Sequence, residues 1–112
     1  MTDQHWIDRI PARTKEDLVR YRDEGIRPGD FLYHVLANDL TYAVLYSDQE
    51  NYKALKEIIW WCSRFLPREA WGSFDRVRTW LHLKGLPLYP KKDQFLARLQ
   101  SELKALNRSD EL

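Results

Sequence analysis

A chain of 112 residues that is 44% apolar and carries five Trp, six Tyr and four Phe is sized for one domain around one core. Its 18 basic and 17 acidic side chains nearly cancel, which excludes the strong global field of a general nucleic-acid binder or of an acidic nucleic-acid mimic. A single cysteine, Cys62, excludes an internal disulfide and a cysteine-based zinc site, and no run approaches the roughly 20 apolar residues of a membrane span.

Residues 1–13 read as an extended lead-in, because proline in Ile10-Pro11 pushes its predecessor out of the helical region. Thr14 as a cap, Asp17 in the first turn and Gly25 as a left-handed stop predict a helix over 15–24. Pro28-Gly29-Asp30 forms a turn that supplies an Asp cap, and Leu32, Leu36, Leu40 and Val44 recur at helical spacing over 31–46. Asn38-Asp39 is the place where that helix can divide, since both side chains compete for local backbone groups.

Ser47 and Glu50 make a capping-box pattern ahead of a helix over 48–65, with Tyr52, Leu55, Ile59, Cys62 and Leu66 on its apolar stripe. Pro67 ends it, and the loop to Gly72 leads to Ser73 as the next cap. The helix over 74–84 places Phe74, Val77, Trp80 and Leu81 on one face and Arg76, Thr79 and Lys84 around the other, with Gly85 as its stop. Leu86 to Pro90 is too rich in proline for helix and reads as an extended, packed connector. A last helix over 91–107 carries Leu96, Leu99, Leu103 and Leu106 as a heptad-type seam, expected to pack on the chain's own core, with a homodimer as the alternative; 108–112 is a frayed tail. The expectation is an all-α chain, a single compact bundle of about five helices within one domain over 1–112.

No Gly-rich phosphate loop, paired-histidine zinc motif, Cys-x-x-Cys or nucleophile elbow occurs, so no catalytic residue, cofactor or metal site is expected. Asp30 and His34 stand four apart on one helix, a spacing common in surface pairs. Cys62 falls on an apolar stripe, where a thiol behaves as a small inert hydrophobe. Met1 to Arg9 lacks the apolar centre of a signal peptide, which fits the cytoplasm, and the terminal Ser109-Asp110-Glu111-Leu112 then resembles a retention tail by chance.

What remains points to binding. Trp60 and Trp61 are helical neighbours about 100° apart, so both cannot face one core, and one of them is expected to face a second surface, either elsewhere in the domain or on a partner. Residues 31–51 hold Asp39, Asp48 and Glu50 with no Lys or Arg, whereas 52–84 hold seven basic and three acidic groups. The candidate partner-binding residues are therefore Trp60, Trp61, Arg64, Arg68, Arg76 and Arg78. The alternative is a helix-turn-helix nucleic-acid reader, with Arg76, Arg78, Thr79 and His82 toward a groove and Arg64, Arg68 and Lys84 on phosphates. Its connector over 66–73 exceeds the three- or four-residue turn of that motif.

The run Ile10-Pro11, then Leu18 and Tyr21, Gly25-Ile26-Arg27-Pro28-Gly29-Asp30-Phe31-Leu32, Val35-Leu36-Ala37-Asn38-Asp39-Leu40 and Trp71-Gly72-Ser73 before Val77 and Trp80-Leu81 resembles small uncharacterised proteins encoded by tailed bacteriophages and prophages, over residues 10–81. The resemblance implies a setting and no catalytic residue: accessory proteins of this kind bind and block a host protein or defence complex.

Overall fold

The computed structural model describes residues 5–106. Seven α-helices follow one another: α1 (Ala12–Glu24), α2 (Asp30–Leu36), α3 (Leu40–Tyr46), α4 (Gln49–Lys53), α5 (Leu55–Phe65), α6 (Phe74–Leu83) and α7 (Lys92–Leu106). Short 3-10 turns stand at Trp6–Arg9, Arg68–Ala70 and Leu86–Leu88. No strand occurs among the described residues. The all-α class is as expected. The helix count rises from five to seven because two predicted helices are each divided, at Asn38 and at Ala54.

The core is built on α5, whose Ile58, Trp61, Cys62 and Phe65 are fully buried. Their spacing of three, one and three is one face of a helix. It is rotated from the predicted stripe, because α4 stops at Lys53 and the chain restarts after Ala54 (φ −97°, ψ 8°). Tyr52 and Ile59, expected inside, are consequently exposed. Trp6, in the supposed extended lead-in, stacks on Phe65 at 6.5 Å, so that segment is a packed 3-10 turn. α7 closes the other side of α5 with Phe95, Leu99 and Leu103 buried and Leu96 and Leu106 half-buried against the same core. Leu99 and Leu103 of the leucine seam are thus covered within the chain, and Leu96 and Leu106 in part. Residue 107 and the tail 108–112 lie outside the described residues.

Among the long-range contacts of α1, three hold its C-terminal half and its stop. The Tyr21 hydroxyl donates to the Ala70 carbonyl at 2.6 Å, and the Trp80 indole N–H donates to the Tyr21 carbonyl at 2.9 Å. Buried phenol and indole groups need such partners to avoid the cost of an unmade hydrogen bond. The third is backbone on backbone: Gly25 (φ 64°) ends α1 as expected and lies so close to the end of α6 that a Cβ there would sit 2.6 Å from the Lys84 backbone. The left-handed stop of α6 is Lys84 (φ 66°), not the predicted Gly85, whose lack of a side chain serves this close approach.

Other local expectations shift by a residue or two. α1 begins at Ala12, and Thr14, rather than capping it, donates its hydroxyl to Asn51 Oδ1 at 2.6 Å and ties α1 to α4. Asp48, not Ser47, caps α4 by accepting from the Asn51 N–H at 2.8 Å. Gly29 occupies the position before α2, and Asp30 is its first helical residue. Ser73 caps α6 as expected, accepting from the Arg76 N–H at 3.1 Å. Leu86–Leu88 is a 3-10 turn rather than an extended connector.

Candidate partner-binding surface

Asn38 creates the surface. It takes the left-handed conformation (φ 61°), which Asn tolerates better than other residues with a side chain. Asn38 N–H donates to the Val35 carbonyl at 3.1 Å, and Asp39 N–H reaches back to the His34 carbonyl at 2.8 Å. This is the paired hydrogen-bond pattern of a Schellman stop. The apolar contact that usually accompanies the motif is replaced by a polar one, His34 Nδ1 to Asp39 Oδ2 at 3.1 Å. In a continuous helix Leu36 O would accept from Leu40 N–H; here it accepts from Gly72 N–H at 2.7 Å.

The stop turns α3 back against α2 and rotates its faces. Leu32 and Leu36 stay buried as predicted, while Leu40 and Val44 from the same predicted stripe turn out to solvent. Only Ala43 of α3 is buried. Leu40 is 67% exposed, Leu45 69%, Tyr42 49% and Tyr46 51%. Tyr42, Tyr46 and Phe74 gather around the His34 ring, with Tyr46 stacked on it at 5.4 Å, Tyr42 at 5.6 Å and Phe74 edge-on at 5.9 Å. Such contacts stiffen the rings and lower the entropy lost when a partner covers them. A cleft of about 70 Å³, lined by Val35, Leu40, Ala43, Leu55 and Ile59 with His34 and Asp39 at its edge, opens between α3 and α5.

The asymmetry read from the sequence falls on this side. Asp39 precedes α3 and Asp48 follows it. A polar cleft of about 430 Å³ beside Tyr46 is lined by Asp17, Asp30 and Asp48 against one guanidinium, Arg13. The expected Asp30–His34 pair does not form: Asp30 meets Arg27 at 3.3 Å, and His34 takes Asp39.

The residues singled out from sequence lie elsewhere. Trp61 is fully buried, with the Arg22 guanidinium 5.6 Å from its ring, and so is not available to a partner. Trp60 is half-buried, its ring edge-on to Trp6 at 6.0 Å with the Lys56 ammonium 5.0 Å away. The adjacent-tryptophan argument holds in its geometry, with the second face partly covered by the chain's own Trp6. Arg64 lies over Trp6 at 5.6 Å and donates to the Trp60 carbonyl at 3.4 Å. Arg76 folds back onto the Arg68 and Trp71 carbonyls, both at 3.3 Å, and Arg78 pairs with Asp75. Arg68 is exposed in the turn between α5 and α6. Arg76 is thus brought to the backbone of Arg68, and Arg76 and Arg78 already have protein partners. The missed residues had a visible signal: Leu40 to Tyr46 carries no charge and only Thr41 besides aliphatic and aromatic residues, a pattern that fits either burial or a contact surface.

Elsewhere, burial and pairing shift four titratable groups. Burial pushes the Cys62 thiol up, away from the thiolate form a nucleophile needs. Burial also raises the Tyr21 phenol. At the foot of α7, the Tyr89 hydroxyl donates to Glu69 at 2.7 Å and holds that carboxyl below its usual range, helped by Lys91 at 3.5 Å. Burial, with the Glu69 contact adding to it, pushes Tyr89 up to about 12. Among the described residues no group of three or more His, Cys, Asp or Glu side chains is placed to hold a metal ion, and no helix is long and apolar enough to cross a membrane. No family model, curated protein or solved structure matches the chain.

Proposed function

We propose that the protein is a non-enzymatic binder that docks a partner protein on the exposed face of α3. The observation that carries this reading is the exposure of Leu40, Tyr42, Leu45 and Tyr46 on a helix that buries only Ala43. Covering the exposed two-thirds of Leu40 or Leu45 contributes about 1–2 kcal/mol each by area bookkeeping, and the tyrosines add rigid amphipathic contact of the kind enriched at interfaces. With the resemblance to phage-encoded accessory proteins, the partner is a host protein or defence complex in the host cytoplasm, and the effect of binding is inhibition. Nucleic-acid reading through α6 ranks second, because Arg76 and Arg78 are engaged with carbonyls and Asp75.

The test is recovery of the partner from host cells with the wild-type chain, Leu45→Lys and the double variant Arg76→Ala/Arg78→Ala. Loss of the partner with Leu45→Lys and retention with the double variant is expected. Retention with Leu45→Lys and loss with the arginine variant would move the site to α6.

A further inference from the structure

We infer that the occupant of the α3 face is a basic amphipathic helix of the partner. Its apolar stripe rests on Leu40, Val44 and Leu45, which share one side of α3, and its Lys or Arg side chains meet Asp39 and Asp48 at the two ends of α3. The inference rests on the reading of α3 as a docking surface and adds the chemistry of what docks.

Charge complementarity selects the occupant. The segment 31–51 holds three carboxylates and no Lys or Arg. Its acidic groups stand at both ends of the apolar strip, where an amphipathic helix lying along α3 would present the flanks of its own apolar stripe. In the cleft beside Tyr46, Asp17 is already paired with Arg13 and Arg20 and Asp30 with Arg27, which leaves Asp48 as the carboxylate at the C-terminal end of α3. Shape agrees. Seven residues make a ridge about 10 Å long, two helical turns, and the cleft of about 70 Å³ at Leu40, Leu55 and Ile59 has room for a single apolar side chain. One inserted anchor plus neighbours three and four residues away is the contact pattern of a docked helix.

The same charges disfavour two other occupants. Antiparallel packing of two copies of α3 would bring Asp39 of each copy against Asp48 of the other, and parallel packing would set each carboxylate against its equivalent. An anionic membrane would face the same carboxylates.

The test uses the full chain labelled with ¹⁵N and three capped helical peptides, each about 14 residues long. They share one leucine pattern and differ in having Lys, Gln or Glu at the polar positions. The Lys peptide is expected to bind about tenfold or more tighter than the Gln peptide, with the Glu peptide weakest. The amide signals of Leu40, Leu45 and Tyr46 should move, and Leu45→Lys should abolish binding. Asp48→Asn keeps a capping side chain on α4 and should weaken the Lys peptide about twofold to fivefold while leaving the Gln peptide unchanged. Equal binding of Lys and Gln peptides at α3 would overturn the inference while leaving the docking surface intact. Lys-peptide binding that maps away from α3 and survives Leu45→Lys would overturn both. Absence of peptide binding, α3 signals that move with protein concentration alone, or tighter binding of phosphatidylglycerol vesicles through α3 would each reject a basic helix as the occupant.

Discussion

Replacing Asn38 by Ala tests the device that exposes α3. The left-handed conformation at φ 61° costs an ordinary L residue about 1–2 kcal/mol, and Asn bears less of it because its short side chain bonds locally. Ala also favours continuation of the helix through residues 30–46. A continuous helix would have to break the His34–Asp39 contact, about 0.5–1.5 kcal/mol. It would also release Gly72 N–H from Leu36 O, at about 1–3 kcal/mol for a donor left without a partner. Those losses hold the native arrangement, so Asn38→Ala should stay folded and lose about 1–2 kcal/mol. Asn38→Gly adopts the same backbone without steric cost but gains unfolded-state freedom, and should fall within about 0.5 kcal/mol of wild type. Urea unfolding followed by tryptophan fluorescence and far-ultraviolet circular dichroism measures both. Equal stability of Asn38→Ala and wild type, or equal losses in the Ala and Gly variants, would refute the claim that a left-handed stop at Asn38 divides α2 from α3.

Two further outcomes follow from the packing. Gly25→Ala combines a left-handed backbone with a Cβ 2.6 Å from the Lys84 backbone and should cost about 3 kcal/mol or more in urea unfolding. Gly29→Ala, with nothing within 4 Å of its Cβ, should cost less than about 1 kcal/mol. The second outcome is alkaline. Tyr89 is raised to about 12, so the folded state favours the protonated phenol. Its contribution is complete below the unfolded value near pH 10 and is lost as pH rises through about 12. Tyr89→Phe should flatten the fall of the urea midpoint across that window, leaving the slope due to buried Tyr21. In acid the sign reverses, because Glu69 is lowered: its contribution is present above the unfolded carboxyl value and lost as pH falls through the depressed one.

Helix starts and stops were legible in the sequence at three positions, whereas those expected at Thr14, Ser47 and Gly85 fall on nearby residues. Gly25 ends α1, Pro67 follows the end of α5 and Ser73 caps α6, because steric freedom, a missing N–H and a side-chain acceptor act within a few residues of chain. The apolar content and the absence of strand alternation likewise set the all-α class. Facing was another matter. Leu40 and Val44 continue the four-residue spacing of Leu32 and Leu36, and periodicity alone puts all four inside. Asn38 and Asp39 mark a possible break, but whether it forms depends on Gly72 N–H, which lies 36 residues downstream of Leu36 and takes its carbonyl. The Trp60–Trp61 pair shows the same limit: helix geometry requires two different faces, and only the fold brings Trp6 to cover part of the second. The sequence by itself determined the all-α class, where the longer helical segments lie and that one stretch is acidic. Tertiary structure decided which apolar residues face solvent, because burial is settled by contacts between segments distant in sequence, which local periodicity does not encode.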